Sequence, residues 1–246
     1  MISIVTATYN SEQYIETCLA SVNSQTDVHF EHIVVDGLST DATLSKLQSG
    51  SYPNLKIITE QDSGIYSALN KGIRTASGEI IGFVHSDDKL ASNLTLKTIQ
   101  NAFKEQKCDV LYADLDFFER GDFSTKVRSW RSGEFRRSKL RNGWMPPHPT
   151  VFVRKKIYER YGLYDETFKI AADYDFLLRI LNDPSVRVFY LQEVTYHMSS
   201  GGASNNKLRN LKLKLMEDIR AVKNNNLLTK RIVVMKRLRK MAQFLR

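Results

Sequence analysis

The first 120 residues alternate between short apolar runs, which are typical of strands, and amphipathic stretches, which are typical of helices. Strands are predicted at 2–7, 32–36, 55–59 and 79–84, and helices at 11–22 and 65–75. Strand–helix alternation at this spacing indicates a parallel sheet with helices packed on its faces. The pattern therefore predicts an α/β fold.

Each of these four strands is followed at once by polar residues. The clusters are Thr8-Tyr9-Asn10, Asp36-Gly37, Glu60-Gln61-Asp62 and His85-Ser86-Asp87-Asp88. An Asp after one strand means little, since Asp is a common turn former. Ligands of open α/β sheets bind beyond the carboxyl ends of the strands, so four such clusters predict one shared binding cleft.

Asp87-Asp88 carries the strongest signal of the four clusters. Adjacent carboxylates repel each other unless a cation lies nearby, and hard oxygen ligands suit Mg²⁺ or Mn²⁺ bridging a diphosphate. The alternative is a capped turn, but the position after the fourth strand favours the metal. Asp36 and Asp62 suit a nucleoside instead, because a carboxylate accepts hydrogen bonds from a ribose hydroxyl or a uracil N–H.

Two further groups lie in the C-terminal half. Asp173 and Asp175 begin a helical pattern, in which Asp175 caps the helix or pairs with Arg179. Asp173 is either a cap or a general base for an acceptor hydroxyl. His197, upstream of Gly201-Gly202, is either a metal or phosphate ligand or a strand-end histidine. From the residues alone, the structural alternative is favoured for both Asp173 and His197.

The net charge of +9 is concentrated at the C-terminus. Residues 207–246 carry 13 basic and 2 acidic side chains, whereas residues 1–206 carry 23 basic and 25 acidic ones. A second basic cluster spans residues 126–160, with 11 basic and 2 acidic side chains. Such stretches attract anions: nucleic acid, acidic lipid headgroups or phosphorylated substrates.

Residues 207–246, the tail, also show helical periodicity. The apolar stripe consists of Leu208, Leu211, Leu215, Ile219, Val222, Ile232, Met235, Leu238 and Leu245. A basic amphipathic helix of this kind lies on an anionic membrane surface, or packs on the preceding domain with its basic face in water. The sequence leaves these two alternatives about equal.

No apolar run approaches the roughly 20 residues that span a bilayer. The start, Met1 to Val5, runs directly into a strand pattern, so no signal peptide is expected. Cys18 and Cys108 lack metal-ligand spacing and are expected to be buried thiols in a reducing compartment. We therefore expect a cytoplasmic protein, peripheral on the inner face of the cell membrane if the tail binds lipid.

Seven segments, in order along residues 1 to about 206, are similar to the motifs of a known enzyme family. They are residues 3–10, 34–43, 60–72, 76–79, 86–88, 171–175 and 201–204. The chain resembles family 2 glycosyltransferases of the GT-A fold, especially bacterial enzymes of O-antigen, capsule and colanic acid assembly. The resemblance implies a Rossmann-like, mostly parallel sheet in a catalytic domain over 1–206. Residues 1–120 would bind the nucleotide sugar and 121–206 the acceptor.

The resemblance also carries roles to matching positions. It implies that Asp173 is the general base, that Asp88 is the direct metal ligand, and that His197 lies beside the diphosphate or the metal. The residues that it implies for nucleotide-sugar binding are Thr6, Thr8, Tyr9, Asp36, Asp62, Asn70, Lys71 and Asp87. Apart from the resemblance, the loop with Trp144 and His148 is expected near the acceptor, and Trp144 is as readily explained as a core residue.

The family is inverting, which implies attack of a deprotonated acceptor hydroxyl on the anomeric carbon of a UDP-hexose or UDP-N-acetylhexosamine. Mn²⁺ or Mg²⁺ would stabilise the departing UDP. The implied acceptor is a glycan or a lipid-diphosphate-linked sugar of a surface polysaccharide. Two departures stand out: Ser86-Asp87-Asp88 is not a strict Asp-X-Asp, and Ala172-Asp173 replaces the Glu-Asp of many relatives.

Two other classes of function would account for part of the sequence. A nucleic-acid-binding protein would explain the basic tail, but the sequence has no recognisable nucleic-acid motif and the carboxylate clusters would have no role. A metal-dependent nucleotidyltransferase would also use carboxylates at strand ends. Such an enzyme should have a Gly-rich phosphate loop near the N-terminus, and Thr6-Ala7-Thr8-Tyr9-Asn10 contains no glycine. Both are therefore less favoured, and no nucleic-acid partner is expected.

Overall fold

A computed structural model describes residues 1–201, 208–227 and 229–242. The strands are β1 (Ile2–Thr8), β2 (Phe30–Asp36), β3 (Leu55–Thr59), β4 (Ile80–Phe83), β5 (Lys89–Leu90), β6 (Val110–Glu119), β7 (Asp122–Trp130), β8 (Phe152–Arg154) and β9 (Val188–Ser199). The helices are α1 (Ile15–Asn23), α2 (Thr43–Ser49), α3 (Ile65–Thr75), α4 (Thr95–Gln106), α5 (Lys155–Tyr161), α6 (Ala172–Leu181), α7 (Leu208–Asn224) and α8 (Thr229–Ala242). None of the helices within these ranges combines the length and hydrophobicity of a membrane span.

One sheet runs through the molecule in the order β3-β2-β1-β4-β8-β6-β9-β5, and β7 pairs with β6. The path β3-β2-β1-β4 is parallel, which confirms the prediction for the first 120 residues. The remaining part is mixed: β6 and β9 are parallel, whereas β8 pairs antiparallel with β4 and β6. Two further pairings are antiparallel: β5 with β9, and β6 with β7, which form a hairpin that turns at Gly121, where φ is +78°.

Helices cover both faces of the sheet, so its central strand is fully enclosed. The side chains of Ile2, Ile4 and Val5 on β1 have no exposed surface. α3 comes very close to this strand at Gly72, where an added Cβ would lie 2.2 Å from Val5 Cγ1. Glycine is therefore required there by the close approach of helix to strand. Cys18 and Cys108 are buried free thiols, as predicted.

The tail packs on the rest of the molecule. Ala221 and Val222 of α7, with Ile232 and Val233 of α8, are buried in the same core as the inner face of α6. Leu215 and Ile219 pack against that core, whereas Leu211 is 55% exposed. The predicted stripe residue Leu245, and the side chains of Leu208 and Leu238, lie outside the described residues. The apolar sides of α7 and α8 therefore pack on the preceding domain, as the second alternative from the sequence proposed. Contact of the tail with a membrane stays a prediction.

Candidate active site

The ends of the first three strands lie side by side at one edge of the sheet. In the parallel register, Thr8 of β1 is paired with Asp36 of β2, which is paired in turn with Thr59 of β3. The loops that follow stay together, because Gly37 N donates to Thr8 O and Glu60 N donates to Asp36 O. The polar clusters predicted to converge are therefore adjacent.

Short hydrogen bonds fix the loops along this edge. Asn10, in the left-handed region with φ of +48°, accepts from Thr40 N at 2.9 Å and donates its own N–H to Ser39 Oγ at 2.9 Å. The hydroxyls of Ser11 and Ser86 lie 3.0 Å apart and join the loop after β1 to the loop after β4. The clusters after β1, β2 and β4 thus form one connected edge.

Tyr9 and Asp62 flank Gly37 on the outer side of this edge. An added Cβ on Gly37 would lie 2.6 Å from Asp62 Oδ2 and 3.6 Å from Tyr9 Cδ2, so only glycine allows this close approach. Tyr9 is 60% exposed, and Asp62 is half-buried with its Oδ1 accepting from Gly64 N. An exposed aromatic ring beside a carboxylate is suited to stacking on a planar base and accepting its N–H groups.

Three residues predicted to contact the nucleotide sugar lie beneath this edge. Thr6 is fully buried, and its hydroxyl lies 2.6 Å from Val84 O and 2.9 Å from His32 Nε2. Asp36 is also fully buried and accepts from the N–H and the hydroxyl of Ser39. The side chains of Thr6 and Asp36 therefore support the strand ends from inside the protein. They do not form an exposed wall of a nucleotide pocket, as the prediction required. Thr8 is 4% exposed, and its Oγ1 has no hydrogen-bond partner among the described residues.

Asn70 and Lys71 of α3, whose contact with the donor stays a prediction, bond protein groups near this edge. The amide of Asn70 is 1% exposed and is used entirely inside the protein: it donates to Tyr164 O and Glu166 Oε1 and accepts from Tyr164 N. Lys71 Nζ donates to Gln61 O at 2.6 Å and therefore holds the loop after β3. Through these bonds, Asn70 holds the segment that contains Tyr164 and Glu166, and Lys71 holds the loop that contains Gln61.

Asp87 and Asp88 occupy different environments. Asp88 is 1% exposed and accepts from Ser199 N at 2.7 Å and Tyr196 OH at 3.1 Å. Burial raises the pKa of the Asp88 carboxyl well above its usual range, and the neighbouring Asp87 raises it further. The Asp87 side chain is more exposed, with Arg120 Nη2 at 3.8 Å. Ionisation of Asp88 is therefore costly, because the carboxyl is buried and lies beside a second carboxylate.

His197 does not join this pair, contrary to the prediction. Successive side chains on a strand point to opposite faces, and Tyr196, the neighbour of His197 on β9, is the residue that bonds Asp88. The His197 ring instead lies 4.6 Å from the Phe118 ring, and its pKa is lowered by burial and by Lys89. Among the described residues, no three His, Cys, Asp or Glu side chains form a metal-binding group.

Asp173 lies in the first turn of α6, close to two side chains that the prediction did not assign. Tyr66 OH lies 2.7 Å from Ile170 O and 3.2 Å from Asp173 Oδ1, so its single proton is within hydrogen-bond range of both acceptors, and Ile170 O is the nearer one. Burial lowers the pKa of His85, whereas the carboxylates of Asp87 and Asp173 both raise it. The His85 ring also lies 6.2 Å from the His148 ring, and its backbone N donates to Tyr196 OH at 2.9 Å.

The loop expected near the acceptor is folded into the core. Trp144 is 7% exposed, donates from Nε1 to Ser132 O at 3.1 Å and packs edge-on against Tyr112. Trp144 is therefore a core residue, which was the other alternative from the sequence. Its ring is too buried to stack on a sugar. His148 is buried, with Nε2 2.9 Å from Tyr164 OH, and burial lowers its pKa to about 4.

The sequence pattern missed His85 and Tyr66 as members of the site. His85 belongs to the polar cluster after the fourth strand, and this position in the sequence could have indicated that it lies at the site. Tyr66 stands beside the Asp62-Ser63-Gly64 segment but is separated by 107 positions from Asp173. No local pattern reports that contact, since only the fold brings α3 to the start of α6.

Comparison with known proteins agrees with this geometry. The model of the family described as Glycosyl transferase family 2 matches residues 3–162. The chain belongs to this family. It is a glycosyltransferase, and the nucleic-acid-binding and nucleotidyltransferase alternatives are thereby set aside.

Relatives of this glycosyltransferase act in different settings. The PGL/p-HBAD biosynthesis glycosyltransferase of Mycobacterium bovis (strain BCG / Pasteur 1173P2) is 31% identical over 211 residues, which are 83% of this chain and 79% of the relative. The chondroitin synthase of Pasteurella multocida (strain Pm70) is 27% identical over 213 residues, 86% of this chain but 22% of that protein.

Solved structures share its fold, which is the GT-A arrangement that the resemblance implied. S. aureus TarS 1–349 in complex with UDP superposes with a TM-score of 0.73 and 25% identity, over 99% of this chain and 70% of TarS 1–349. A mannosyltransferase from Pyrobaculum calidifontis, solved with GDP-Man and Mn²⁺, gives a TM-score of 0.66 at 18% identity, over 96% of this chain and 68% of the other.

Proposed function

We propose that this glycosyltransferase transfers a hexose or N-acetylhexosamine from a UDP-sugar, with inversion and with a divalent cation, onto a glycan or lipid-diphosphate-linked acceptor. The observation that carries the proposal is the convergence of Tyr9, Asp62 and the Asp87-Asp88 pair on one sheet edge. Polysaccharide or glycolipid synthesis is the setting, and the TarS structure with UDP supports a uridine nucleotide.

Tyr9 and Asp62 are the side chains best placed for the uridine. The 60% exposed Tyr9 ring offers a face for stacking, and Asp62, in contact range of Gly37, offers carboxylate oxygens to a uracil N–H or a ribose hydroxyl. Thr8 contributes a buried hydroxyl without a protein partner at the same strand end. The nucleoside would therefore lie across the ends of β1, β2 and β3.

The residues present fit a divalent cation held jointly with a diphosphate. Mg²⁺ is commonly bound through one or two carboxylates plus substrate phosphates, and Asp87 and Asp88 supply such carboxylates. The second negative charge raises the pKa of buried Asp88, and a cation would offset that repulsion. Asp88 would hold the ion and Asp87 would contact the sugar or the ribose. Mn²⁺ or Mg²⁺ would supply positive charge to the departing UDP.

Asp173 is the proposed general base. Tyr66 OH lies 3.2 Å from Asp173 Oδ1, and Oδ2 bonds no other described residue, so Oδ2 could accept the proton of an acceptor hydroxyl. Because attack comes from the side opposite the diphosphate, an α-linked donor would give a β-linked product. The half formed by residues 121–206 would bind the acceptor. Contact of the basic tail with an anionic inner membrane, in a cytoplasmic enzyme of O-antigen or capsule synthesis, belongs to the same proposal.

A donor screen tests this function. UDP release would be measured from UDP-glucose, UDP-galactose and their N-acetyl forms, with Mn²⁺, with Mg²⁺ and with EDTA, and GDP-mannose would serve as the control nucleotide sugar. We expect release from at least one UDP-sugar, lost in EDTA, and little from GDP-mannose. Equal rates with and without EDTA would contradict the metal requirement, and release from GDP-mannose alone would contradict the uridine site.

Gly37→Ala should weaken UDP binding by about 5- to 140-fold, since overpacking of a fixed contact costs roughly 1–3 kcal/mol. The added methyl group would lie 2.6 Å from Asp62 Oδ2 and would push that carboxylate away. Titration calorimetry with UDP and Mn²⁺ measures the affinity. Gly133→Ala is the control, because its methyl group meets open space although φ is +69°. Unchanged affinity in Gly37→Ala would remove Asp62 from the nucleoside site.

A further inference from the structure

Glu217 of α7 has an unusual set of partners for a residue in the basic tail. Its Oε1 accepts from Lys169 N at 2.8 Å, and its Oε2 accepts from Ile170 N at 2.8 Å and from Ala171 N at 2.9 Å. Glu217 is 6% exposed. A buried carboxylate thus binds three consecutive backbone N–H groups from a segment 46 to 48 positions away.

Those three N–H groups lie directly before α6, the helix that carries Asp173. Ala171 is the N-cap of α6 and provides no side-chain capping bond. The backbone donors near a helix start need acceptors from elsewhere, and a distant carboxylate supplies them here. Hydrogen bonds to an ionised acceptor are roughly twice as strong as neutral ones, so this contact holds the segment firmly.

The same segment is held from its other side by Tyr66. The hydroxyl of Tyr66 lies 2.7 Å from Ile170 O and 3.2 Å from Asp173 Oδ1. Glu217 takes the N–H of Ile170 while Tyr66 donates to its carbonyl, and the base stands three residues further on. The position of the Asp173 carboxylate therefore depends on a backbone that a tail residue fixes.

α7 is itself anchored by independent contacts. Asp218 lies 2.6 Å from Lys236 Nζ of α8, with both side chains largely buried. Asn225 Nδ2 donates to Asp175 Oδ1 at 3.1 Å, and Arg220 Nη2 lies 3.1 Å from Asp165 Oδ2. The Asn225 and Arg220 contacts fix α7 against α6 and against the segment that precedes it, and they present Glu217 from a fixed helix, whereas the Asp218–Lys236 pair joins α7 to α8.

We propose that Glu217 is a positioning residue for Asp173, and that α7 of the tail is therefore part of the transfer site. This inference rests on the proposed function, in which Asp173 is the base. Glu217 sets the backbone from which Asp173 reaches the acceptor hydroxyl, and it does so without contact to the substrate. Its removal acts on turnover and leaves donor binding in place, because Glu217 bonds the backbone of residues 169–171 and neither Tyr9 nor Asp62.

The test compares Glu217→Gln with Asp218→Asn. Gln has one acceptor oxygen, and its NH₂ group would oppose a backbone N–H, so it cannot satisfy all three donors. Asp218 is the matched control: it is the next residue, 3% exposed, and its carboxylate bonds Lys236 instead of the α6 start. UDP release is followed with the UDP-sugar that the wild type turns over fastest, and melting temperatures are recorded for each variant.

We expect Glu217→Gln to lower kcat by about 10- to 100-fold with the donor KM within about twofold, because misplacement of a catalytic group costs turnover. Asp218→Asn should lower the melting temperature without a comparable loss of kcat. In an Asp173→Asn background, Glu217→Gln should cause no further loss, since the two residues act through one group. Amide exchange at residues 169–171 should speed up in Glu217→Gln alone.

Equal kcat in Glu217→Gln and Asp218→Asn would overturn the inference. It would also be overturned if Glu217→Gln lowered kcat by the same factor in the Asp173→Asn background as in the wild type. If Glu217→Gln does not fold, Glu217→Asp keeps the charge but shortens the reach, and the same two criteria apply. If Asp173→Asn alone keeps wild-type turnover, the base assignment fails. If Asp173→Asn loses turnover and Glu217→Gln keeps it, only the positioning role fails.

Discussion

Replacement of Asp173 by Asn is expected to lower kcat by at least about a hundredfold, because a positioned general base typically contributes 10²- to 10⁴-fold. The affinity for UDP should change by no more than about twofold, since the uridine residues Tyr9 and Asp62 lie at the strand ends of the other half. Asn keeps an oxygen that can accept from Tyr66 OH, so the fold around the residue should persist. Steady-state UDP release and calorimetry with UDP measure the two quantities.

Asp175→Asn provides the matched control for this variant. Asp175 lies in the same helical turn and is 3% exposed, but it pairs with Arg179 Nη2 at 2.7 Å instead of facing Tyr66. Loss of that pair should lower stability, because Arg179 would lose its buried charged partner, and should leave kcat near the wild-type value. Near-normal turnover in Asp173→Asn would remove Asp173 from the role of base.

Asp88→Asn is expected to cost at least about a hundredfold in kcat, since a cation at a departing phosphate contributes several kcal/mol of charge stabilisation. In EDTA its melting temperature should lie close to that of the wild type, because Asn relieves the repulsion from Asp87 while it still bonds Ser199 N. Mn²⁺ with UDP should raise the melting temperature of the wild type and not of the variant. Thermal scans with and without Mn²⁺ measure this difference.

Asp116→Asn controls for the loss of a carboxylate elsewhere in the sheet. Asp116 on β6 is 8% exposed and pairs with Arg131 Nη1 at 2.9 Å, on the strand beside His197. The Asp116→Asn variant should show the same rise in melting temperature with Mn²⁺ and UDP as the wild type. A wild-type response to Mn²⁺ in Asp88→Asn would show that the ion, if bound, is held elsewhere.

The sequence was sufficient for the parallel half of the fold because its signals are local. Each of the strands β1 to β4 coincides with a short apolar run in the sequence, and the helices between them have clear amphipathic faces. The mixed half was missed, since β5 and β6 pair with β9 at residues about 80 to 110 positions away. Such pairings leave no periodicity in the chain that a local pattern can detect.

Within the site, the sequence located the right segments but not the direction of each side chain. Thr6 and Asn70 lie in motifs that border the site, yet both point inward, because burial depends on contacts such as that of Asn70 with Tyr164. The face that His197 occupies depends on the register of β9, which shifts against β6 between Ala113 and Leu115. Between these pairs β9 has three more residues than β6, and an odd number of extra residues reverses the faces without a signature in the sequence.

A crystal structure with UDP and Mn²⁺ tests the central claim most directly. The account requires uracil between Tyr9 and Asp62, the diphosphate with Mn²⁺ at Asp87-Asp88, and space for a sugar between that pair and Asp173. UDP bound instead along the basic residues 126–160, or Mn²⁺ coordinated away from Asp87-Asp88, would contradict it.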